Sequence, residues 1–242
     1  MKYYHLRYPW GSAWTGMMLF CGNKNILIDS AVQGAEEFLK NELAKCGLPV
    51  AGIDLVANTH SHSDHCGMND FLRSAGAEIH RAVPGETIDG GDYTLSVIAS
   101  PGHSPDSISF LEPESGILFT GDALEGAGTR YAGIALYQNP AALLETISHI
   151  RELAENGTIR TLFLGHSYDR TGGVVLQKDI LAFLDHCNQT VRNYDDFLRT
   201  LPPELPAQEA AEKLRTKFGV TTTPIDPASA VLTVNAHRNF PL

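Results

Sequence analysis

The sequence predicts an α/β (α+β) protein, on three observations. Helix and strand signals alternate from residue 17 to residue 164, the apolar runs are short and separated by turn residues, and 43% hydrophobic content over 242 residues is enough for a substantial core. Residues 17–21 and 25–29 read as strands joined through Gly22-Asn23-Lys24, a hairpin signal. Residues 34–46 read as a helix with Phe38, Leu39 and Leu43 on one face and Gly47 as its stop. A buried strand follows at 53–57, then a short helix at 68–75 and a strand at 78–82. Three more strands are expected at 93–99, 107–111 and 117–120, the last two joined by the turn-rich Glu112-Pro113-Glu114-Ser115-Gly116. Residues 140–155 read as an amphipathic helix with Pro140 in its first turn and its end near Gly157, and 161–164 as a strand. Beyond Gly173 the character changes. Residues 174–198 have helical periodicity, 201–206 form a stiff proline-rich break, and 207–218 read as a second helix closed by Gly219.

Within this frame His60-Ser61-His62-Ser63-Asp64-His65 places four potential metal ligands in six residues, directly after the expected strand at 53–57. Such density points to a shared metal. Imidazole and carboxylate suit zinc above all, with iron and manganese as alternatives. The ligands would sit on the loop leaving the strand's C-terminal end, where catalytic groups of α/β folds gather. Three single residues repeat a pattern around the cluster: His103, Asp122 and His166 each follow or close an apolar run and each has a glycine immediately before it. A glycine there lets the backbone approach closely and turn sharply, aiming the next side chain into a common pocket.

The order His60-x-His62-x-Asp64-His65, Gly102-His103, Gly121-Asp122, Gly165-His166 resembles the ligand set of the metallo-β-lactamase fold superfamily, in its glyoxalase II and lactonase-like branch. The resemblance runs from about residue 16 to 168, and all seven ligand positions are filled. It implies a four-layer αβ/βα sandwich, with a catalytic domain over 1–172 and a C-terminal helical extension over 173–242 packing on it. It also implies one metal on His60, His62 and His103, a second on Asp64, His65 and His166, and Asp122 bridging the two. A hydroxide held between the cations, which lie about 3.5 to 4 Å apart in such sites, is the expected nucleophile, with Asp64 orienting it or passing on its proton. Asn25-Ile26-Leu27-Ile28-Asp29-Ser30 resembles the family's early strand, whose aspartate braces the metal loop; a turn or capping role for Asp29 stays open.

The expected activity is that of a metal-dependent hydrolase, cleaving an ester, thioester, lactone or amide in a small molecule with two divalent ions. A phosphodiesterase or nuclease of the same fold, or a mononuclear-iron enzyme resembling the persulfide dioxygenases, is the alternative. Aspartate at 122 disfavours the cysteine-ligand β-lactamases, and histidine at 62 disfavours the flavin-linked iron relatives, which carry glutamate there. The continuation Ala123-Leu124-Glu125 lacks the aromatic, arginine-containing segment of the glutathione-thioester enzymes, and Glu125 stands where lactonases have a tyrosine. Arg130, Tyr131 and Tyr137, on a long glycine-rich segment, are candidate substrate contacts, with a solvated arginine the competing reading of Arg130. Asp106 reads as a turn residue or a contact to the site. Trp10 and Trp14 wall the pocket or anchor the N-terminal strand.

The formal charge of -10 argues against non-specific nucleic-acid binding. Cys21, Cys46, Cys66 and Cys187 show no pairing pattern, and no run has signal-peptide form or membrane-spanning length. A reduced, cytoplasmic protein is expected, with a small-molecule substrate, no membrane partner and a homo-oligomer left open. His5, His80, His149, His186 and His237 match no ligand position and are read as surface or packing residues.

Overall fold

Alternation of side chains along the strands determines the layering. In a computed structural model that describes residues 1–10, 13–124, 134–166, 172–220 and 227–242, the first sheet has the order β1 (Lys2–Trp10), β2 (Ala13–Cys21), β3 (Asn25–Ile28), β4 (Leu55–Ala57), β5 (Glu78–His80). The second sheet comprises β6 (Thr87–Asp89), β7 (Thr94–Ala99), β8 (Ile108–Glu112), β9 (Ile117–Phe119), β10 (Thr161–Phe163) and β11 (Val174–Leu176), in the reverse order β11 to β6. Met18, Phe20, Ile26 and Ile28 point from the first sheet into a core shared with Val97, Phe110, Phe119 and Phe163 of the second. Their chain neighbours Met17, Leu19 and Leu27 point the other way, against Leu39 and Leu43 of α1 (Glu36–Lys45) and Leu72 of α3 (Asn69–Ser74). On the far face of the second sheet Leu118, Leu162 and Val175 meet α4 (Pro140–Glu155) and α5 (Gln177–Arg199), joined by α6 (Ala207–Lys217) and α7 (Pro227–Asn239). The result is the expected four-layer αβ/βα sandwich. Strands buried on both faces explain why the sequence shows continuous apolar runs rather than alternation.

Local chemistry fixes the element ends. The Asn139 side chain accepts a hydrogen bond from Ala142 N at 3.0 Å and Pro140 follows it, so α4 starts where its cap and proline dictate. The β8–β9 turn closes on a buried carboxylate: Glu112 accepts from Glu114 N at 3.0 Å and Ser115 N at 2.7 Å.

Three differences from the sequence reading have physical causes. Residues 174–176, read as the start of a helix, form β11, because Leu162↔Val175 pairing on the open edge of β10 takes these residues before α5 begins at Gln177. The nine-residue β1 pairs along all of β2, from Lys2↔Cys21 to Trp10↔Ala13. Its Tyr4, Leu6 and Tyr8 pack on the α1 side while polar residues alternate with them, which leaves no apolar run to read. Helix α7 was not expected, since its valine, threonine and asparagine residues are indifferent helix formers; packing of Ala230, Thr233 and Val234 against the helical layer stabilises it.

Candidate metal centre

Every residue of the predicted ligand set lies just beyond a strand, and the two sheets deliver them to one place. His60 and His62 follow β4, and Asp64 and His65 lie on the short helix α2 (Ser63–Cys66) that ends the same loop. His103 follows β7, Asp122 follows β9 and His166 follows β10. The loops are stitched together: Ile108 N of the second sheet donates to Thr59 O beyond the first at 2.8 Å, and Gly165 N donates to Gly121 O within the second at 2.8 Å. The glycines are required. Gly121 sits at φ +49°, and a Cβ there would meet Thr59 Oγ1 at 2.4 Å; a Cβ on Gly165 would meet Asp122 Oδ1 at 2.5 Å.

The donor atoms converge. His60, His62 and His103 form one group; His60, His65 and Asp122 a second; Asp64, His65 and His166 a third, with the ligand atoms of each group within 4.8 Å of one another. His62 Nδ1 lies 3.0 Å from His103 Nε2, and Asp122 Oδ2 lies 3.5 Å from His103 Nε2 and 3.3 Å from His166 Nε2. His65 Nε2 is 3.3 Å from both His166 Nε2 and Asp122 Oδ1. Asp122 therefore stands between the two histidine groups. Among the described residues, His60 Nε2 and Asp122 Oδ1 are buried without a hydrogen-bond partner. Leaving buried polar atoms unmet costs about 1 to 3 kcal/mol each, so a cation that both groups can ligate fits the observation directly.

The opposite ring nitrogens are held. His65 Nδ1 lies 2.7 Å from Asp29 Oδ2, His103 Nδ1 is 2.8 Å from Leu136 O, and His166 Nδ1 is 2.9 Å from Trp14 O. His60 Nδ1 meets Thr59 Oγ1 at 3.0 Å, and that hydroxyl contacts Asp29 Oδ2 at 2.9 Å. Carbonyl and carboxylate acceptors on Nδ1 fix the tautomer that turns the Nε2 lone pair inward, as metal-binding histidines require. Asp29 is fully buried, sits at φ 65° just after β3, and also accepts from Thr59 N at 2.7 Å; it braces the loop rather than capping a helix.

Burial pushes the His60 imidazole down to about 2, with Asp122 only partly opposing it, and lowers His62 as well. These rings are neutral lone-pair donors. Burial also disfavours charge at His166 and His65, but Asp122 beside both, joined by Asp64 at His166 and Asp29 at His65, outweighs it, raising His166 to about 10 and His65 well above the usual imidazole value. Against its own burial, Asp64 is drawn down to about 2 by His166 and His65, and Asp122 falls well below the usual carboxylate value beside His166, His65 and His103. Ionised Asp64 and Asp122 thus stand among imidazoles, and protons on His65 and His166 balance them in the role a cation could take.

Some contributors left no sequence signal. Asn58 Nδ2 donates to His65 O at 2.7 Å and Asn69 Nδ2 to Asn58 Oδ1 at 2.8 Å, anchoring α2. Asp106 does more than turn the chain: its carboxylate accepts from Ser61 N at 3.0 Å and Ser104 Oγ at 2.7 Å, tying the His60 loop to the His103 loop. Cys66 donates its thiol to His62 O at 3.2 Å, outside the ligand groups. Tyr137 is fully buried with its hydroxyl 2.8 Å from His237 Nε2, whereas Arg130 and Tyr131 lie outside the described residues. Among the described residues no helix is long and apolar enough to cross a membrane.

The sequence model described as "Metallo-beta-lactamase superfamily" matches residues 17–87 and 75–169. A hydroxyacylglutathione hydrolase from Thermosynechococcus vestitus is 26% identical over 187 residues, covering 69% of this chain and 72% of that protein. A second, from Brucella ovis, is 26% identical over 176 residues, covering 65% of this chain and 66% of its own length. Among solved structures, a metallo-beta-lactamase family protein from Thermus thermophilus superposes with a TM-score of 0.75 at 19% identity, covering 98% of this chain and 93% of that one.

Proposed function

The chain belongs to the metallo-beta-lactamase superfamily, and from that premise we propose that it is a metal-dependent hydrolase that cleaves an ester, thioester, lactone or amide bond in a small molecule. The observation that carries this reading is the convergence of three ligand groups linked through His60 and His65, with His60 Nε2 and Asp122 Oδ1 among them buried and unpartnered. His60, His62 and His103 would hold one divalent cation, Asp64, His65 and His166 a second, and Asp122 would contact both, with zinc the first choice and iron or manganese the alternatives. When bound, such a pair supplies Lewis-acid polarisation of a substrate oxygen and makes a water molecule acidic near neutral pH.

The chain's own residues do the rest. Asp64, at 26% side-chain exposure, is the cluster carboxylate open to solvent, whereas Asp29 and Asp122 are sealed. In this reading Asp64 orients the attacking water or takes its proton and returns it to the departing oxygen, sulfur or nitrogen as the bond to the acyl carbon breaks. Its Oδ2 stands 3.2 Å from His166 Nε2, which fixes the carboxylate for that transfer. Asp29, Leu136 and Trp14 hold the ligand rings in register, so little reorganisation accompanies turnover.

The relatives named hydroxyacylglutathione hydrolases put a thioester first in a hydrolysis panel, ahead of lactone, ester, amide, β-lactam and phosphodiester, run on protein of measured metal content. Two divalent ions per chain and acyl-bond cleavage are expected. Purified protein carrying a single iron, with activity lost under anaerobic conditions, would overturn the hydrolase reading; cleavage confined to the phosphodiester would replace it with the nuclease alternative.

A further inference from the structure

Helix α7 reaches the candidate metal centre through one short segment. His103 Nδ1 lies 2.8 Å from Leu136 O, so the orientation of that ring depends on where residues 135–137 are held. The segment is gripped on the side facing His103, where Gln138 N and Asn139 N donate to Gly102 O at 2.8 and 3.0 Å. On the other side α7 holds it twice. Thr233 Oγ1 donates to Ala135 O at 2.7 Å, and Tyr137 OH meets His237 Nε2 at 2.8 Å, so both neighbours of Leu136 are pinned by the same helix.

The polarity of that second contact is determined. Asp195 Oδ1 lies 3.0 Å from His237 Nδ1, and a carboxylate oxygen accepts, so the proton sits on Nδ1. Burial lowers His237, with Asp195 opposing, which leaves a neutral ring whose Nε2 accepts from the Tyr137 hydroxyl. Arg199 Nε donates to the other Asp195 oxygen at 2.5 Å, so the series Arg199, Asp195, His237, Tyr137 is satisfied at every link. Tyr137 and Thr233 are fully buried and His237 is nearly so, so water does not compete for the hydrogen bonds these side chains make.

We propose that Thr233 and His237 of α7, through Ala135 and Tyr137, are positioning residues for His103, setting how well the cation on His60, His62 and His103 is held. The inference rests on the proposed ligand assignment. Contacts that orient a metal-binding histidine carry about 10- to 100-fold in metal affinity. Disturbing a contact one residue further away is expected to weaken one of the two cation sites about tenfold and leave the other at its wild-type affinity.

The test is zinc titration against a competing chelator on the full chain, with melting temperature and the kcat and KM of the best panel substrate recorded alongside. His237→Ala and Thr233→Val should weaken one site selectively, while His237→Gln, whose amide can accept from Tyr137 and donate to Asp195, should restore it. Thr233→Val removes a single hydroxyl and keeps the test alive if His237→Ala fails to fold. Wild-type protein that binds no zinc overturns the ligand assignment and the inference together. Two wild-type sites that stay unchanged in the variants, or that weaken equally in step with a lower melting temperature, overturn the inference alone.

Discussion

The histidine–carboxylate cluster and the Tyr137–His237–Asp195 series are two buried polar assemblies that solve opposite problems. In the series each ring nitrogen of His237 has a partner, Tyr137 on one side and Asp195 on the other. In the cluster the outward-facing nitrogens are equally well held, by Asp29, Leu136 and Trp14, yet His60 Nε2 and Asp122 Oδ1 face inward with no hydrogen bond among the described residues. A satisfied buried network is scaffold; one satisfied on its outer side and unmet within is shaped for something that is not protein. Unmet ring nitrogens mark a candidate ligand only where other donors converge on them, since His5 is also buried with both ring nitrogens unmet yet belongs to no ligand group among the described residues.

The largest expected effect breaks the cluster itself. Asp122→Ala removes the carboxylate between the histidine groups and should lower metal content and reduce turnover on the order of 10³-fold or more, as the loss of several kcal/mol of charge stabilisation implies; metal analysis beside the hydrolysis assay checks it, and full activity in the variant refutes the bridging role. Chelation attacks the same set from the ligand side. Stripping a cation present at a thousand times its Kd removes about 4 kcal/mol of stability, so the melting temperature should drop on the order of 10 °C and return with added zinc.

His5 provides a third environment against which the contrast is sharpened. Its ring packs edge-on against Trp14 and Phe163 at 5.2 Å, and burial, then Arg7, pushes it down to about 4. The folded state therefore binds fewer protons than the unfolded state between pH 6.5 and about 4, and stability is lost as pH falls through that window, by up to about 3 kcal/mol. Denaturant titrations of His5→Leu across that range should show a flatter pH dependence than wild type. Asp29→Ala, which unties His65 and Thr59 while leaving every proposed ligand in place, should cost about 10- to 100-fold in metal affinity by chelator competition. His186→Ala, on an exposed position of α5, should change neither metal content nor turnover; a loss of either would show that a histidine outside the cluster serves the site.

The ligand candidates were legible because histidine and aspartate at glycine-marked strand ends are rare in combination, and because a ligand's residue type cannot vary freely. Asp29 was legible only through the family resemblance, since a carboxylate closing an apolar strand by itself left a turn or capping role open. Asn58, Asn69 and Leu136 were not, since a hydrogen bond to a histidine or to a helix end can come from any nearby amide or carbonyl and leaves no spacing rule. The strand β11 and the helix α7 escaped for a related reason: pairing partners and packing surfaces, not their own propensities, decide what they become.

The sequence by itself determined the α/β class, the strand-end placement of the histidines and aspartates, and the side-chain alternation that buries both faces of the central strands. That Asp122 stands between two histidine groups was implied by the resemblance; only the tertiary structure decided that Tyr137 is sealed against His237 and that a helix from the far end of the chain reaches the segment holding His103. Those relations join residues as many as a hundred positions apart, as in Tyr137 and His237. Local patterns constrain a side chain's type and the face it occupies, while distances between distant residues are set by how the layers pack.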